Sequence, residues 1–586
     1  MSPKHSISTV ATVTPISLNL FKNAMSTITD EMALTVIRTA HSIAVREMMD
    51  FSCALCDSDG AVVAQGLGLA LHLGTMPDVV RTVHSRGPYQ PGDVIALNDP
   101  YRGGTHLPDI YVVRPLFWDG QHLGYAVVNM HHVDVGGRVP GSVAPDSTEV
   151  FQEGIRFGPE YLERAGLRNE TLLNILASNT RLPAKVMGDL QSQCSACLIG
   201  EREMVKLVRT HGLAYVREHT AALMDYAEKM ARAEISGFPD GQYSFTDYLD
   251  DDGISGDSIA LTASITVAGD ALSVDFEGTS PQVKGAINCV MTMTRSAVYC
   301  TVRSIMRSDI PDNEGFCRAI TVTAPSSSIV NPSFPAAVGA RGVTAHRLCD
   351  TMLGALAKLA PDRVMAADEG GSTNVVMGGR DAQGVPFVMV EFVYGAWGGR
   401  PTKDGIDGIS NLFSNLANNP VEVIESEFPV RIKSYGFVPD TGGPGRYRGG
   451  LSVRREYELL APDAALTLRS DRRKHPPHGA NGGGYGSPSG NVLNPDAEAT
   501  LLPTKFTRQI QRGNLFQTTL AGGGGYGEAV ERAPKDVLED LIDGKVTPAH
   551  ALKAYGVMLQ ADGTVDETAT AAARDEMRTR AGAVSD

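Results

Sequence analysis

The chain contains no long hydrophobic run. No stretch approaches the roughly 18 consecutive apolar residues of a membrane-spanning helix, so the sequence predicts no membrane association. Basic residues are also in deficit: 52 lysines and arginines against 67 aspartates and glutamates give a formal net charge of −15. A chain of this charge is poorly suited to nucleic acid or to an anionic lipid surface, and neither is expected as a partner.

Cysteine is scarce, and its spacing does not suggest a metal site. Eight cysteines occur, and two pairs have CxxC spacing, Cys53 with Cys56 and Cys194 with Cys197. The pairs are too far apart in the chain for a zinc ribbon. Cys53 and Cys56 lie in a predicted strand, where positions three apart face opposite sides, so we expect buried, reduced thiols. Together with an N-terminus that reads as a polar arm rather than a signal peptide, this predicts a cytoplasmic location.

The familiar nucleotide-binding motifs are missing. No GxxxxGK[ST] sequence occurs, so the chain has no P-loop. The glycine-rich stretches 479–486 and 521–527 lack the preceding strand and following helix of a dinucleotide-binding fingerprint. An acidic run lacks the glycine and terminal glutamate of an EF-hand and is interpreted as a solvated turn; it comprises Asp247, Asp250, Asp251 and Asp252.

The length of 586 residues predicts two to four domains. The hydrophobic patterns indicate an α+β, multi-domain fold with mixed or antiparallel β-layers, a central helical region and a glycine-rich β C-terminal part. The predicted divisions are an N-terminal helix with a β-layer (1–160), a helical region (161–240), a β-hairpin and helix domain (241–375), a glycine-rich β region (376–530), and C-terminal helices with a disordered tail (531–586).

Local signals place several elements within this frame. Apolar residues at spacings of three and four predict a first helix from Pro15 to about Met49. Strands are predicted at 51–56 and 61–65, joined by a turn. Strict alternation predicts an antiparallel hairpin of 259–267 with 271–276. Residues 169–235 have a helical composition.

Residues 98–109, NDPYRGGTHLPD, follow an apolar run typical of a buried strand. A tight loop here can aim His106 and Asp109 at one point, and His131, at the end of a second apolar run, reaches the same point if strand 126–130 neighbours strand 94–98. Two histidines and an aspartate suit Zn²⁺, Fe²⁺ or Mn²⁺ and leave room for water. Asp50 or Glu47 is a plausible fourth ligand. The alternative is that the histidines only bond backbone groups in their loops.

These motifs also carry a resemblance. Residues 98–109 resemble the signature of the hydantoinase B/oxoprolinase family, which is related to the acetone carboxylase alpha subunit. Further blocks are similar to the family, namely REMMDFSCALCDSDG (46–60), NPSFPAAVGARG (331–342) and DTGGPGRYRGG (440–450). The resemblance extends over about residues 15–530, so it concerns almost the whole chain.

The resemblance implies a two-subunit enzyme. A hydantoinase A-like partner with an actin-like ATP-binding fold would phosphorylate the carbonyl oxygen of a small cyclic amide, and metal-activated water held by this chain would open the ring. It implies one divalent transition metal ion (Zn, Mn or Fe), ATP bound by the partner, and an A₂B₂ heterotetramer. The alternatives are a subunit of an ATP-dependent ketone carboxylase, or a non-catalytic scaffold for the ATPase subunit.

The family's metal ligands map onto His106, Asp109, His131 and a carboxylate in the block 47–50, where Asp50 is favoured and Glu47 is kept as a candidate.

Further roles are assigned as hypotheses. His132 or Asp134 could orient the water or move a proton. Gly103 and Gly104 would let the substrate approach the backbone closely. Arg400 could bind a phosphate bidentately, the alternative being a surface ion pair.

Overall fold

The computed structural model describes residues 13–66 and 68–584, which form an α+β, multi-domain structure with four β-sheets. The N-terminal elements are α1 (Pro15–Thr39), α2 (Ile43–Arg46), β1 (Phe51–Cys56), β2 (Val62–Gln65), α3 (Met76–His84), β3 (Val94–Leu97), β4 (Asp109–Trp118), β5 (Gln121–His131), β6 (Glu160–Arg164) and β7 (Leu167–Arg168). The seven strands form an antiparallel sheet in the order β2-β1-β5-β4-β3-β6-β7.

The predicted first helix is shorter than expected. It ends at Thr39 because Ala40 is extended (φ −67°, ψ 150°), and α2 follows after a short break. The break leaves backbone amides without helical partners. The Asp189 carboxylate accepts from the His41 N–H (2.6 Å) and from the Ser42 N–H (3.1 Å), so a distant side chain satisfies them.

The two faces of the N-terminal sheet pack against different layers. Cys53 belongs to the core shared with α1, and Cys56 to the core shared with α3, which confirms that the two face opposite sides. All eight cysteines are free thiols, and six of them are buried. Three helices then follow, in agreement with the helical composition of 169–235: α4 (Glu170–Ser178), α5 (Pro183–His211) and α6 (Leu213–Ile235).

The middle of the chain forms a second sheet, β11-β10-β9-β8, against which α9 packs in a large apolar core. The predicted hairpin of β9 and β10 is confirmed, with alternating burial along β9. The elements are β8 (Gly241–Leu249), β9 (Ile259–Ala268), β10 (Ala271–Asp275), α7 (Met291–Ser304), α8 (Glu314–Cys317), β11 (Ile320–Thr323) and α9 (Gly342–Leu359).

The acidic run at the end of β8 is not the solvated turn that its composition suggested. Asp247, Asp250 and Asp252 are buried. The Asp250 carboxylate accepts backbone N–H groups of Arg473 (2.7 Å) and Lys474 (2.9 Å), so this carboxylate joins the middle of the chain to its C-terminal part.

The C-terminal part is a sandwich of two sheets, β13-β12-β16-β19 and β14-β15-β20-β17-β18, around one apolar core. Its elements are β12 (Thr373–Arg380), β13 (Pro386–Val393), α10 (Val421–Glu427), β14 (Val430–Val438), β15 (Ser452–Leu459), β16 (Asp463–Arg469), β17 (Gly490–Leu493), β18 (Thr500–Leu501), β19 (Lys505–Gln511) and β20 (Leu515–Thr519).

The glycine-rich segments pack on one another through their backbones. The Gly443 N–H donates to Gly523 O (2.8 Å), and the Gly525 N–H donates to Gly484 O (2.9 Å). A Cβ added to Gly523 would lie 2.1 Å from Trp397 O, so the close approach requires glycine. These amides are therefore engaged with carbonyl groups rather than directed at a ligand.

The chain continues with α11 (Pro534–Ile542), α12 (Pro548–Tyr555) and α13 (Glu567–Val584). The tail that was predicted to be disordered therefore contains a helix instead. Arg574 docks α13 by donating to Tyr555 O (3.0 Å) and to Arg532 O (2.7 Å). None of the helices in 13–66 and 68–584 is long and apolar enough to cross a bilayer.

Candidate metal centre

Three of the predicted ligands meet at one end of the N-terminal sheet. Asp109 begins β4 and lies directly across from His131, which ends β5. β5 neighbours β4 and β1 rather than β3, so the assumed contact between strands 126–130 and 94–98 was wrong. His131 nevertheless reaches the site because Asp109 is itself a strand residue. On the other side, the His131 N–H donates to Asp50 O (3.1 Å).

The loop before β4 brings in His106. Gly103 has φ +98°, and the Gly104 N–H donates to Asp99 O (3.0 Å), which closes a tight turn. Asn98 then holds the far side of the loop by donating from Nδ2 to Leu107 O (2.8 Å). The tight loop that Gly103 and Gly104 predicted is thus present, and it directs the imidazole of His106 towards the strand ends.

The ligand atoms of the three side chains converge. His106 Nε2 lies 3.0 Å from Asp109 Oδ1 and 3.2 Å from His131 Nδ1, and His131 Nδ1 lies 3.3 Å from the same carboxylate oxygen. All three residues are about 1% exposed. In the described part of the chain, no other group of three or more His, Cys, Asp or Glu brings its ligand atoms within 4.8 Å of one another.

Hydrogen bonding fixes the tautomer of His106. Its Nδ1 lies 3.0 Å from Gly339 O, and because a carbonyl oxygen only accepts, Nδ1 carries the proton. Burial, together with the nearby Arg341, lowers the pKa of His106 to about 3, so the ring is neutral. Nε2 therefore presents a lone pair towards the Asp109 carboxylate, and the two acceptors repel each other. A cation bound between them would remove that repulsion.

The spacing also fits a metal ion. Ligand atoms about 2.05 Å from a common ion lie about 2.9 Å apart at right angles and about 3.3 Å apart at tetrahedral angles. The three observed separations, 3.0, 3.2 and 3.3 Å, fall in this range. His131 Nε2 is buried without a hydrogen-bond partner among the described residues. The donor set thus suits a divalent transition metal.

The second oxygen of Asp109 is held separately. Oδ2 accepts from Arg341 (2.5 Å) and from the Thr105 hydroxyl. Burial alone would raise the pKa of Asp109, but the guanidinium of Arg341 outweighs it and holds that pKa well below its usual range. Asp109 is therefore an anion, as a metal ligand must be.

The structure separates the two candidates for a fourth ligand. Asp50 is buried and lines the same cavity as the cluster, where burial raises its pKa to about 6. No described side chain donates to its carboxylate. Glu47 does not line the cavity; its carboxylate lies 3.4 Å from Arg46 and is about a third exposed (32%). The structure therefore brings Asp50, but not Glu47, to the site.

The structure does not bring His132 and Asp134 to the cluster. His132 Nε2 lies 2.9 Å from Gln193 Oε1 on α5. The Asp134 carboxylate accepts from the Arg181 N–H (2.9 Å) and the Gly141 N–H (3.1 Å). His132 thus contacts a side chain of α5 and Asp134 holds neighbouring backbone, so their proposed proton-transfer roles have no geometric support.

The predicted substrate contacts also lie elsewhere. Gly103 borders an open groove beside α3, and a Cβ there would lie 2.8 Å from the Asp78 backbone. Gly104 packs against Asp99 O. Arg400 donates from Nε (3.0 Å) and Nη2 (2.7 Å) to Asp404 O, so it braces a loop rather than forming a surface ion pair.

The cluster opens into a small cavity of about 30 Å³. Its walls combine apolar side chains from three regions of the chain with polar groups that sequence reasoning missed. Arg341 lies within block 331–342 and His72 within block 71–77, both similar to the family, whereas His346, Ser372 and Arg469 had no local signal. The missed polar residues are His72, Arg341, His346, Ser372 and Arg469.

Glu153 positions the loop that orients His106. Its Oε1 accepts from the Val338 N–H (2.9 Å) and the Gly339 N–H (2.7 Å), while Oε2 is buried without a partner in the described structure. Gly339 O in turn accepts from His106. Burial raises the pKa of Glu153 to about 8, so it is protonated at neutral pH.

Glu153 should make stability fall with pH. The pKa of about 8 in the folded protein lies above the ordinary glutamate value of 4.5. Its stabilising contribution is therefore complete below pH 4.5 and is lost as pH rises to 8, by about 1.4 kcal/mol per pH unit. Glu153→Gln should remove this dependence on pH. The apparent melting temperature of the variant should therefore rise relative to that of the wild type between pH 5 and pH 8. Equal pH profiles for Glu153→Gln and for Glu149→Gln, an exposed control, would contradict the assignment.

The fold and the site together define a multi-domain α+β protein with a buried His–Asp centre, in a chain that carries no P-loop. A family model described as Hydantoinase B/oxoprolinase matches residues 14–529. The chain belongs to the hydantoinase B/oxoprolinase family, which confirms the resemblance of its motifs.

Individual relatives agree with this assignment. The chain is 32% identical to the caprolactamase subunit beta of Pseudomonas jessenii, over 96% of this chain and 99% of the relative. The crystal structure of the ATP-dependent caprolactamase of P. jessenii matches with a TM-score of 0.91 and 31% identity, over 96% of this chain and all of the other. A nucleotide-free acetone carboxylase structure matches with a TM-score of 0.90 over 97% of this chain and 83% of the other; at 18% identity, this shows a shared fold.

Proposed function

We propose that this chain is the metal-containing subunit of an ATP-dependent cyclic amidase that opens a hydantoin, oxoproline or lactam ring. The observation that carries the proposal is the lone pair of His106 Nε2, directed at Asp109 and His131 in a buried cluster beside a small cavity. Family membership and the similarity to a caprolactamase subunit support the class of reaction.

The side chains at the site have distinct tasks in this proposal. His106, Asp109 and His131 would hold a Zn, Mn or Fe ion, with Asp50 as the fourth ligand. A bound ion of this kind supplies hydroxide at neutral pH, because it lowers the pKa of its water to about 7. Arg341 fixes the orientation of Asp109 through the 2.5 Å contact with Oδ2.

The cavity walls suit the hydrocarbon part of a ring. Met293, Phe392, Phe413 and Leu416 line the cavity together with the polar groups. Apolar walls exclude bulk water, which strengthens the electrostatic interactions of the polar groups that face the substrate. A small cyclic amide is therefore a better fit to this cavity than a polymer or a charged nucleotide.

A partner subunit would activate the amide. An amide carbonyl is a poor electrophile because its nitrogen donates into it, and phosphorylating the carbonyl oxygen removes that resonance. The similarity to an ATP-dependent caprolactamase and the missing P-loop of this chain support a hydantoinase A-like partner that binds ATP. We propose an A₂B₂ heterotetramer.

One assay tests this function. The chain is purified with its partner subunit, and hydantoin, 5-oxoproline and caprolactam are each supplied with ATP. Ring opening that needs both subunits, ATP and bound metal is the expected result. Turnover that instead needs bicarbonate and a ketone assigns the complex to the carboxylases. Full ring opening in the His131→Ala complex would assign this chain a purely structural role.

A further inference from the structure

Arg469 stands apart from every other buried arginine in the described structure. Burial of a charged group is costly unless an opposite charge or hydrogen bonds compensate it. Six of the seven buried arginines have a carboxylate oxygen within 4.0 Å, and Arg469 has none. The six paired residues are Arg341, Arg347, Arg448, Arg455, Arg472 and Arg532.

The contacts of Arg469 leave part of its guanidinium free. It donates from Nη1 to Gly339 O at 3.3 Å, and its Cζ lies 5.1 Å from the centre of the Phe392 ring. Its Nε has no acceptor among the described residues. The side chain is 2% exposed and lines the cavity of the metal centre. Burial, followed by the proximity of Arg341, lowers its pKa to about 10, so it is still a cation at neutral pH.

Two further donors converge on the same place. Helix α9, of 18 residues, begins at Gly342 without a side-chain cap, and its N-terminus carries partial positive charge. A Cβ added to Gly342 would lie 3.0 Å from Ser372 Oγ and 3.4 Å from Arg469 Nη2. Ser372 Oγ is buried without a hydrogen-bond partner in the described structure, and the residue is held at φ +43°.

The charges of the cavity favour an anion. Arg341 compensates Asp109 through their 2.5 Å contact. Asp50 is the other carboxylate that lines the cavity, and it would face the metal ion. With a divalent ion in place, the positive charge of the ion and of Arg341 and Arg469 exceeds that of the two carboxylates. Arg469 contributes one unit of this excess.

We propose that Arg469, Ser372 and the N-terminus of α9 form a binding site for a phosphate group, either inorganic phosphate or the phosphoryl group of a small molecule. The donors are of three kinds and approach from three elements, β16, the segment before β12 and α9. A phosphate has three or four terminal oxygens to accept from them, whereas a carboxylate has two. The site adjoins the metal cluster, so one small ligand could span both.

This inference deepens the proposed function, and it rests on that function only in assigning the phosphate to an activated amide. The binding of inorganic phosphate can be measured on the full chain without partner, ATP or turnover. Lost ring opening with intact phosphate binding would contradict the proposed function alone. Absent phosphate binding in an active complex would contradict this inference alone.

The test is titration calorimetry with inorganic phosphate, methyl phosphate and acetate, on chelator-treated and metal-loaded protein. The wild type should bind phosphate in both forms and prefer it to acetate. Arg469→Gln should weaken phosphate binding about 10- to 100-fold, because it removes charged hydrogen bonds. Ser372→Ala should weaken it less, about 3- to 10-fold. Arg508→Gln removes an exposed charge from the neighbouring strand β19 and should have no effect.

Stability separates a ligand-binding arginine from a structural one. Arg469→Gln leaves no carboxylate unpaired, so without phosphate its apparent melting temperature should stay within about 2 °C of the wild type. Added phosphate should raise that temperature in the wild type but not in the variant. Unchanged phosphate affinity in both Arg469→Gln and Ser372→Ala overturns the proposal, as does equal binding of acetate. Tighter binding of methyl phosphate than of inorganic phosphate identifies a phosphoryl group on a small molecule as the ligand.

Discussion

Alanine in place of His106 is expected to remove bound metal and ring opening together, while ATP hydrolysis by the partner survives at least in part. The reason is the shared geometry: His106 Nε2 lies within 3.2 Å of both other ligand atoms, and its Nδ1 is anchored on Gly339 O. Loss of an outer hydrogen-bond partner of a metal ligand typically costs about 10- to 100-fold in affinity or activity, and loss of the ligand itself should cost more.

The measurement is metal content by elemental analysis, paired with ring-opening and ATPase rates of the complex. Asp109→Asn keeps the shape of the side chain but removes its negative charge, and it should lose the metal as well. His132→Gln provides a matched comparison, because His132 is adjacent in sequence to His131 but contacts Gln193; its metal content should remain. Turnover at the wild-type rate in metal-free His106→Ala protein would refute the site.

The cluster could be predicted because its ligands are local. His106 and Asp109 share one loop, and β4 and β5 are consecutive antiparallel strands, so Asp109 and His131 come together through a single hairpin. The directions in which the His132 and Asp134 side chains point were harder to predict. His132 and Asp134 follow the end of β5, where strand alternation no longer decides which way a side chain points. Only the packing of α5 against the sheet turns His132 away.

The opposite wall of the cavity could not be predicted. Arg341 and Arg469 lie more than two hundred residues beyond the cluster in the chain, and no spacing rule connects them to it. Arg469 arrives because the outer face of the C-terminal sandwich packs against the N-terminal part, and Arg341 because α9 begins there. The role of the glycine-rich segments could not be predicted either, because they let backbone segments that are distant in the sequence approach one another.

The C-terminal sandwich positions this wall through strand alternation. On β13, Met389 and Val393 face the core between the two sheets, whereas Val390 and Phe392 face the opposite side. Glu391 lies between them on the inner face and accepts from Arg455 (2.6 Å) on the facing sheet and from the Tyr457 hydroxyl (2.6 Å). The buried pair therefore joins the two sheets directly behind the cavity wall.

Arg455→Met is expected to destabilise the protein by about 3–5 kcal/mol, because it leaves Glu391 buried without its cation. Arg455 and Glu391 are both 0% exposed, so solvent cannot take over that role. The double variant Arg455→Met/Glu391→Gln should recover most of the loss, since a neutral pair has no charge to desolvate. Urea unfolding and thermal melting measure both effects.

The matched control is Arg431→Met on β14, whose ion pair with Glu458 (3.4 Å) is 55% exposed at the arginine. Exposed pairs of this kind contribute about 0–1 kcal/mol. If Arg455→Met cost no more than Arg431→Met, the buried pair would not be what holds the two sheets together. If Arg455→Met lowers the free energy of unfolding several times more than Arg431→Met, the loss of the buried pair should also displace Phe392, because Glu391 and Phe392 are consecutive residues of one strand. Phosphate binding at Arg469 should then weaken in the single variant and return in the double variant.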